Sequence, residues 1–271
     1  MLVNGKSGNL ISIRDRGLLY GDGVFRTLRA IRGKAQHWLL HYKKLQHDCT
    51  VLGIACPDIG QLSAELDSLL ARHPDAVVKL IVTRGTGTRG YAPKHSADIT
   101  HGWDISPLPE YPSSWAIHGI KAQRCQLRLG RQPRLAGIKH LNRLENVLAA
   151  AEWNDAPEIA EGLLQDAEGN VIEGTRSNLF FVSRGELITP ELSHSGVAGV
   201  QRDRVIDWST QHHMPLQIRN VGLDEVLHAD ELFLVNSIIG LWPIRELEQR
   251  HWKSFPVAMQ IRQAWAEELA S

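Results

Sequence analysis

Four stretches of the chain carry residue types suited to chemistry on a carbonyl compound with an anionic tail. Lys139 lies in Leu135-Ala136-Gly137-Ile138-Lys139-His140-Leu141-Asn142-Arg143-Leu144, where an apolar, strand-like segment meets a helix. In such a semi-buried setting desolvation disfavours the ammonium, and the neutral amine becomes available to a carbonyl. Glu173 closes Asn170-Val171-Ile172-Glu173 just before the tight turn Gly174-Thr175-Arg176-Ser177, from which a carboxylate can point into a pocket. Gly196-Val197-Ala198-Gly199-Val200-Gln201-Arg202 brings glycines to a predicted helix start, where free N–H groups and the helix dipole favour an anion. Asn236-Ser237 ends a strand and can add a hydroxyl donor. Taken singly, each has a plainer reading: a surface lysine, a solvated glutamate or a partner for Arg176, an ordinary helix entry, a serine satisfying local backbone. Taken together, an amine, an acid and an anion cradle are what pyridoxal phosphate chemistry requires: a Schiff-base lysine, a partner for the pyridine nitrogen and donors for a dianionic phosphate.

These residues need elements to position them. Val24 to Ile31 alternates as a strand, Arg32-Gly33-Lys34 turns, and Ala35 to Leu39 returns, which predicts a hairpin. From Trp38, the residues Tyr42, Leu45, Cys49 and Leu52 recur at helical spacing and Gly53 ends the run. A second helix is predicted from an Asp58 cap through Leu62, Leu66 and Leu69, followed by a buried strand over Val77 to Thr83. Pro93, Pro107, Pro109 and Pro112 exclude regular helix from about Ala92 to Ser114 and suggest a crossover between an N-terminal domain, 1–110, and a C-terminal domain, 111–271, that carries Lys139. Beyond it, Leu141 to Trp153 reads as a helix with Leu144, Val147, Leu148 and Ala151 on one face. Gly162 to Pro190 reads as a meander of three short strands, with turns at Glu168-Gly169-Asn170 and Arg184-Gly185. A helix from about Val200 and a strand over Glu231 to Val235 complete a mixed, α/β or α+β, two-domain chain.

The 271 residues carry 30 Lys and Arg against 30 Asp and Glu, so no general attraction to nucleic acid or an anionic membrane is expected. Met1-Leu2-Val3-Asn4-Gly5-Lys6 turns polar before an apolar signal region could form, and no apolar run approaches a membrane span, so a cytoplasmic location is expected. Cys49, Cys56 and Cys125 are an odd number without metal-ligand spacing and read as buried thiols; no metal is expected. Gly85-Thr86-Gly87-Thr88-Arg89-Gly90 follows a strand and fits the glycine pattern of a dinucleotide loop. That mechanism needs a helix N-terminus at once, and Tyr91-Ala92-Pro93 disfavours helix, so a flexible, substrate-facing loop is the better reading.

The order of these pieces resembles the fold-type IV pyridoxal phosphate enzymes, a family of branched-chain aminotransferases, D-amino-acid aminotransferases and 4-amino-4-deoxychorismate lyases. The resemblance runs from Asp15-Arg16-Gly17-Leu18-Leu19-Tyr20-Gly21-Asp22-Gly23-Val24-Phe25 to Trp242-Pro243-Ile244. It implies that Lys139 is the Schiff-base lysine and Glu173 the partner of the pyridine nitrogen. Val197 would lie against the ring, while Ser237 and the backbone at Val200 and Gln201 would hold the phosphate. The family's helix motif, His followed three residues on by Arg-Leu, appears here as His41-Tyr42-Lys43-Lys44-Leu45. A lysine thus replaces the phosphate-binding arginine; Lys44 can neutralise phosphate but loses the bidentate fork. The resemblance also implies a homodimer.

Within the family, Arg89-Gly90-Tyr91-Ala92-Pro93, the run from Leu127-Arg128-Leu129-Gly130-Arg131-Gln132-Pro133 to Glu145, and Asn236-Ser237-Ile238-Ile239-Gly240-Leu241-Trp242-Pro243 are similar to the lyase branch. That branch implies conversion of 4-amino-4-deoxychorismate to 4-aminobenzoate and pyruvate, with Lys139 moving the protons. Arg29, Arg89 and Arg128 are candidates for the two substrate carboxylates, and Thr27 could place a hydroxyl near the leaving group. A D-amino-acid or branched-chain aminotransferase would keep the roles of Lys139 and Glu173. A non-catalytic pyridoxal phosphate-binding protein is the alternative from another class.

Overall fold

A computed structural model describes residues 1–87, 89–93 and 99–270 of the chain. Thr88 of the glycine loop and 94–98 of the proline-bearing stretch lie outside the described residues. The chain divides into two compact units, one of Met1–Glu110 with Ile138–Asn142 and one of Tyr111–Gly137 with Arg143–Ser271.

In the first unit β1 (Leu2–Val3), β2 (Lys6–Ser7), α1 (Arg16–Tyr20), β3 (Gly23–Ile31), β4 (Lys34–Ala35), α2 (Trp38–Leu52), α3 (Ile59–Leu70), β5 (Ala76–Thr83) and β6 (Thr100–Ser106) follow in order. The strands form one sheet in the order β2-β1-β6-β5-β3-β4. Long antiparallel registers run from Gly23↔Thr83 to Ala30↔Ala76 and from Val77↔Ser106 to Thr83↔Thr100. Alternation along β3 turns Val24, Arg26, Leu28 and Ala30 into the core and leaves Phe25, Thr27 and Arg29 on the other face. Leu45 of α2 and Leu62, Leu66 and Leu70 of α3 pack in one cluster with Leu28, Val78 and Leu80. The expected return strand to Leu39 is only β4. Gln36 N–H still donates to Arg29 O at 2.8 Å, but His37 then takes a left-handed conformation (φ 57°) that turns the chain into α2. Trp38 anchors that turn through an Nε1–H bond to Ser63 Oγ, 2.8 Å.

The proline-bearing stretch hides β6, which the sequence reading did not expect. Pro93 and Pro107 flank it without entering it, and alternation buries His101 and Trp103. Their ring N–H groups meet Glu65, Trp103 Nε1 donating to its Oε2 at 2.8 Å.

The second unit contains α4 (Trp115–His118), β7 (Ile120–Leu129), α5 (Leu144–Ala151), β8 (Ile159–Asp166), β9 (Val171–Gly174), β10 (Asn178–Ser183), β11 (Glu186–Pro190), α6 (Val200–Gln211), β12 (Leu216–Arg219), α7 (Leu223–Leu227), β13 (Glu231–Asn236), β14 (Gly240–Leu247), β15 (Arg250–His251) and α8 (Pro256–Ala270). Its sheet runs β12-β11-β10-β13-β14-β7-β8-β9, with β15 beside β14. The pairs β7–β8, β7–β14 and β11–β12 are parallel. Fully buried Phe180 of β10 and Phe233 of β13 stack at 5.5 Å in its core.

The expected three-strand meander is instead two hairpins, β8–β9 and β10–β11, separated in strand order by β13, β14 and β7. The break falls at Thr175–Ser177, where buried Glu161 accepts from Thr175 N–H, the Thr175 hydroxyl and the Ser177 hydroxyl. The helix expected over Leu141–Trp153 is the shorter α5, and its apolar face is turned outward: Leu144, Val147 and Leu148 are exposed while Ala149 is buried. Among the described residues no helix is long and apolar enough to cross a membrane, and no cluster of three His, Cys, Asp or Glu could hold a metal ion.

Candidate functional site

Lys139 groups with the first unit, whereas the sequence reading placed it in the C-terminal domain. Backbone pairing explains the difference. Phe25 N–H donates to Lys139 O at 3.0 Å and Leu141 N–H to Gly23 O at 2.9 Å, so the segment runs as a short extra strand beside the start of β3. Lys139 N–H in turn donates to Asp48 Oδ2 at 3.0 Å. With its main chain held at both ends, the side chain extends so that Nζ lies 4.6 Å from the centre of the Phe25 ring. Phe25 shares its strand face with Thr27 and Arg29, so β3 carries these three predicted or contacting residues on the side that Lys139 reaches. Lys79, opposite Thr27 on β5, also stands over Phe25, at 4.9 Å.

Asp48 and Arg26 form a buried ion pair behind this face, each almost wholly shielded. Burial pushes the Asp48 carboxyl above its usual range, while Arg26 and the Lys139 N–H pull the other way. His41, two turns of α2 earlier, is held at about 3 by burial, with the charges of Arg26, His37 and Lys139 adding to it. A neutral imidazole, a carboxylate and a guanidinium thus lie under the lysine. Lys44 sits half-buried on the same helix, one turn before Asp48 and close enough to lower that carboxyl's pKa.

In the second unit Glu173 is the next-to-last residue of β9 and is 3 % exposed. Its Oε2 accepts from Val197 N–H at 2.9 Å and from Asn178 Nδ2 at 3.3 Å. Asn178 also donates to Val197 O at 2.7 Å and accepts from Gly199 N–H at 3.1 Å, so one amide clamps Glu173 and the glycine turn together. The turn is fastened from its other side by Gly137, whose N–H donates to Gly196 O and whose O accepts from Ala198 N–H, both at 2.9 Å. Gly196 has φ 85°, and a Cβ there would stand 2.8 Å from Ile172 Cγ2 and Leu192 Cδ2 and 3.3 Å from the Glu173 carboxyl carbon. Only glycine lets the turn come this close to the acid.

Gly199 is the N-cap of α6 and supplies no side-chain cap, so the first-turn N–H groups of Val200 and Gln201 face outward along the helix dipole. The Gln201 side chain turns aside to accept from Arg204 at 2.7 Å. This cradle suits an anion held by backbone donors, with an ionisable carboxylate in the same unit. Ser237 follows β13 in a turn where Asn236 Oδ1 accepts from Ile238 and Ile239 N–H at 2.8 and 2.9 Å.

The three predicted arginines lie on different elements. Arg29 is exposed on β3, Arg89 is exposed in the loop after β5, and Arg128 on β7 donates to Gln165 of β8. Among the described residues up to Pro93 that loop contains no helix. Arg16 fixes it, donating to Gly90 O at 3.0 Å and Tyr91 O at 2.7 Å. Sequence reasoning named His41 only as the first residue of a helix motif and did not single out Asp48, Arg26 or Asn178. The available signal was a polar residue on an apolar stripe: His41 and Asp48 flank Leu45 at helical spacing, and Arg26 interrupts the inward face of β3.

Residues 23–247 match the family model for amino-transferase class IV. The chain is 34% identical over 261 residues to an aminodeoxychorismate lyase of Vibrio harveyi, covering 96% of each protein. It is 26% identical over 260 residues to a D-alanine aminotransferase of Bacillus licheniformis, covering 92% of this chain and 88% of that one. The crystal structure of 4-amino-4-deoxychorismate lyase from Pseudomonas aeruginosa superposes with a TM-score of 0.95 at 42% identity, over 99% of this chain and 98% of that one.

Proposed function

The chain belongs to the class IV amino-transferase family, and from that premise we propose that it is a pyridoxal phosphate-dependent lyase converting 4-amino-4-deoxychorismate to 4-aminobenzoate and pyruvate. The observation that carries this reading is its likeness to the Pseudomonas lyase at 42% identity over nearly the whole of both chains. When bound, pyridoxal phosphate supplies an aldehyde for the substrate amine and a protonated ring that takes up an electron pair.

The residues would divide the remaining work. Lys139 would carry the cofactor, and its amine would be the base for the carbon bearing the substrate nitrogen and the proton donor to the departing pyruvate. Its main chain is fixed by Phe25 and Asp48, which limits the amine to the sweep of one side chain. Glu173 would hold the proton on the pyridine nitrogen, and its own position is set by Val197 N–H and Asn178. Val197 would lie against the ring, and the Val200 and Gln201 N–H groups with Ser237 would hold the phosphate, Lys44 adding a positive charge. Thr27 presents its hydroxyl to the leaving group. Arg29, Arg89 and Arg128 are the candidates for the two substrate carboxylates, and strand alternation favours Arg29, which shares its face with Phe25 and Thr27.

The working form is a homodimer in the cytoplasm. The outward apolar side chains of α5, with Leu144 68 % and Val147 60 % exposed, support the dimer, since such a face is normally covered.

Adding 4-amino-4-deoxychorismate to the cofactor-loaded protein should release 4-aminobenzoate and pyruvate in equal amounts. Neither product appearing, with the cofactor bound, would sink the proposal. Conversion of the cofactor to pyridoxamine phosphate on adding an amino acid without acceptor would point to the aminotransferase reading that the Bacillus licheniformis relative supports.

A further inference from the structure

We infer that Glu161, a buried carboxylate with no contact to any residue assigned to substrate, is a positioning residue for Glu173, resting on the proposed cofactor roles of Glu173 and Ser237. It fixes the turn Gly174–Ser177, and that turn sets the place of Glu173 at one end of the cradle and of the Asn236–Ser237 step at the other. Glu161 stands on β8, a strand buried at every position, and is itself wholly shielded. A carboxylate in such a place needs donors. It finds them almost entirely in one turn. Its Oε1 accepts from Gly162 N–H at 3.0 Å, from Thr175 N–H at 3.2 Å and from the Thr175 hydroxyl. Its Oε2 accepts from the Ser177 hydroxyl at 2.8 Å, with the Arg176 guanidinium 3.7 Å away.

A carboxylate accepts at every lone pair, which lets one side chain gather the backbone and both hydroxyls of the turn. Gly174 permits the close approach: a Cβ there would overlap Ser177 Oγ and stand 3.1 and 3.2 Å from Glu161 Cγ and Cδ. The turn is closed across its own base by Gly174 N–H, which donates to Ser177 O at 2.7 Å. Glu161, Gly174 and the two hydroxyls therefore form one tightly packed unit, and the chain cannot pass from β9 to β10 by another path without leaving a buried acceptor or donor unmet.

What the turn carries makes this more than a fold contact. Glu173 immediately precedes it. Asn178 immediately follows it, and its amide donates to Glu173 Oε2 and to Val197 O while accepting from Gly199 N–H at the start of α6. At the crest, Arg176 O accepts from Asn236 Nδ2 at 3.0 Å, and Asn236 is the residue before Ser237. A shift of the turn thus moves the acid, the amide that clamps it and the neighbour of the phosphate hydroxyl together. Thr175 O is held separately by Asn146 Nδ2 of α5 at 2.9 Å, so shortening Glu161 loosens the turn without releasing it.

The test is the visible spectrum of the cofactor-loaded protein, with turnover measured beside it. Glu161→Ala should shift the band of lysine-bound cofactor in the same direction as Glu173→Gln and speed cofactor release by about fivefold or more. Its kcat should fall by about tenfold with KM changed by less than about threefold. Glu161→Gln keeps an oxygen for the Gly162 and Thr175 donors and an amide from which the Ser177 hydroxyl can accept, so kcat should recover to within about threefold of the unmodified chain. Because Glu161 acts through Glu173, Glu161→Ala should cost less than about a further twofold in kcat when Glu173→Gln is already present. Glu231→Ala is the control: Glu231 is equally shielded and accepts from Val257 and Ala258 N–H at the start of α8, so this variant should lower the thermal midpoint without moving the band. Ser177→Ala removes one donor and leaves the acid in place; it should give the same band shift in smaller measure, and it serves if Glu161→Ala does not fold. The band and the release rate need no substrate, so they decide the role of Glu161 whether or not 4-aminobenzoate is formed. An unmoved band in both Glu161→Ala and Ser177→Ala, an equal shift in Glu231→Ala, or full additivity with Glu173→Gln would each overturn the inference.

Discussion

Beneath Lys139, His41 is kept neutral by its burial and by three nearby cationic groups, and this makes the pH response of one residue calculable. The unfolded chain binds a proton at this imidazole below about 6.5, but the folded chain does so only near 3. The unfolded state therefore holds more protons throughout that window. The contribution of His41 to stability is complete above 6.5 and declines as the pH falls toward 3, at about 1.4 kcal/mol per unit. Between pH 7 and 5 the native chain should lose about 2 kcal/mol more stability than His41→Asn, as read from urea midpoints at both values; equal losses would exclude this role. Asp48→Ala should be costlier, by about 3–5 kcal/mol at neutral pH, because it removes the carboxylate from a buried ion pair with the Arg26 guanidinium. Replacing Lys139 by Ala should abolish the visible absorbance of lysine-bound cofactor, whereas Glu173→Gln should retain cofactor and slow turnover by about 100-fold or more. Lys139 and Glu173 were legible as residue types next to turns and helix starts. Asp48 and Asn178 were not, because their partners are backbone groups 91 and 19 residues away along the chain.

Elements were readable where local chemistry alone sets their ends. Asp58 caps α3 through Gln61 N–H, and Gly53 closes α2, both as their residue types require. Three elements were not readable in this way. β6 lies within a stretch dominated by prolines, β4 is cut short by the left-handed His37, and the supposed meander is divided because Glu161, a buried acid, collects the turn after β9. Each depends on partners distant in sequence. The glycine turn before α6 offers a test of packing against backbone strain. Gly196 and Gly33 both have positive φ, of 85° and 76°, but an added Cβ meets three atoms at Gly196 and nothing within 4 Å at Gly33. Gly33→Ala should therefore cost about 1 kcal/mol, from conformation alone, and Gly196→Ala about 1–3 kcal/mol more, with weaker cofactor retention. Thermal midpoints of the two variants give the comparison, and similar midpoints would contradict the packing argument.

At the scale of the molecule, helical periodicity identified α5 but could not say which way its apolar face points. A core-facing stripe and a partner-facing stripe look alike in sequence, and only the fold shows that Leu144, Val147 and Leu148 face outward. Placing a charge on that face, as in Val147→Glu, should shift the protein toward a monomer in light scattering at micromolar concentration without lowering the helical content. The assignment of Ile138–Asn142 to the first unit, although 111–137 and 143 onward build the second, has a consequence for biosynthesis. A ribosome that has released the first 110 residues has not yet delivered the strand that pairs with Phe25 and Gly23 or the N–H that Asp48 accepts. The first unit can close only after about 30 further residues of the second have emerged. A nascent chain halted after 110 residues should then be digested faster by protease than one halted after 142, and the lysine on which the chemistry depends would be the last piece to lock the unit that precedes it.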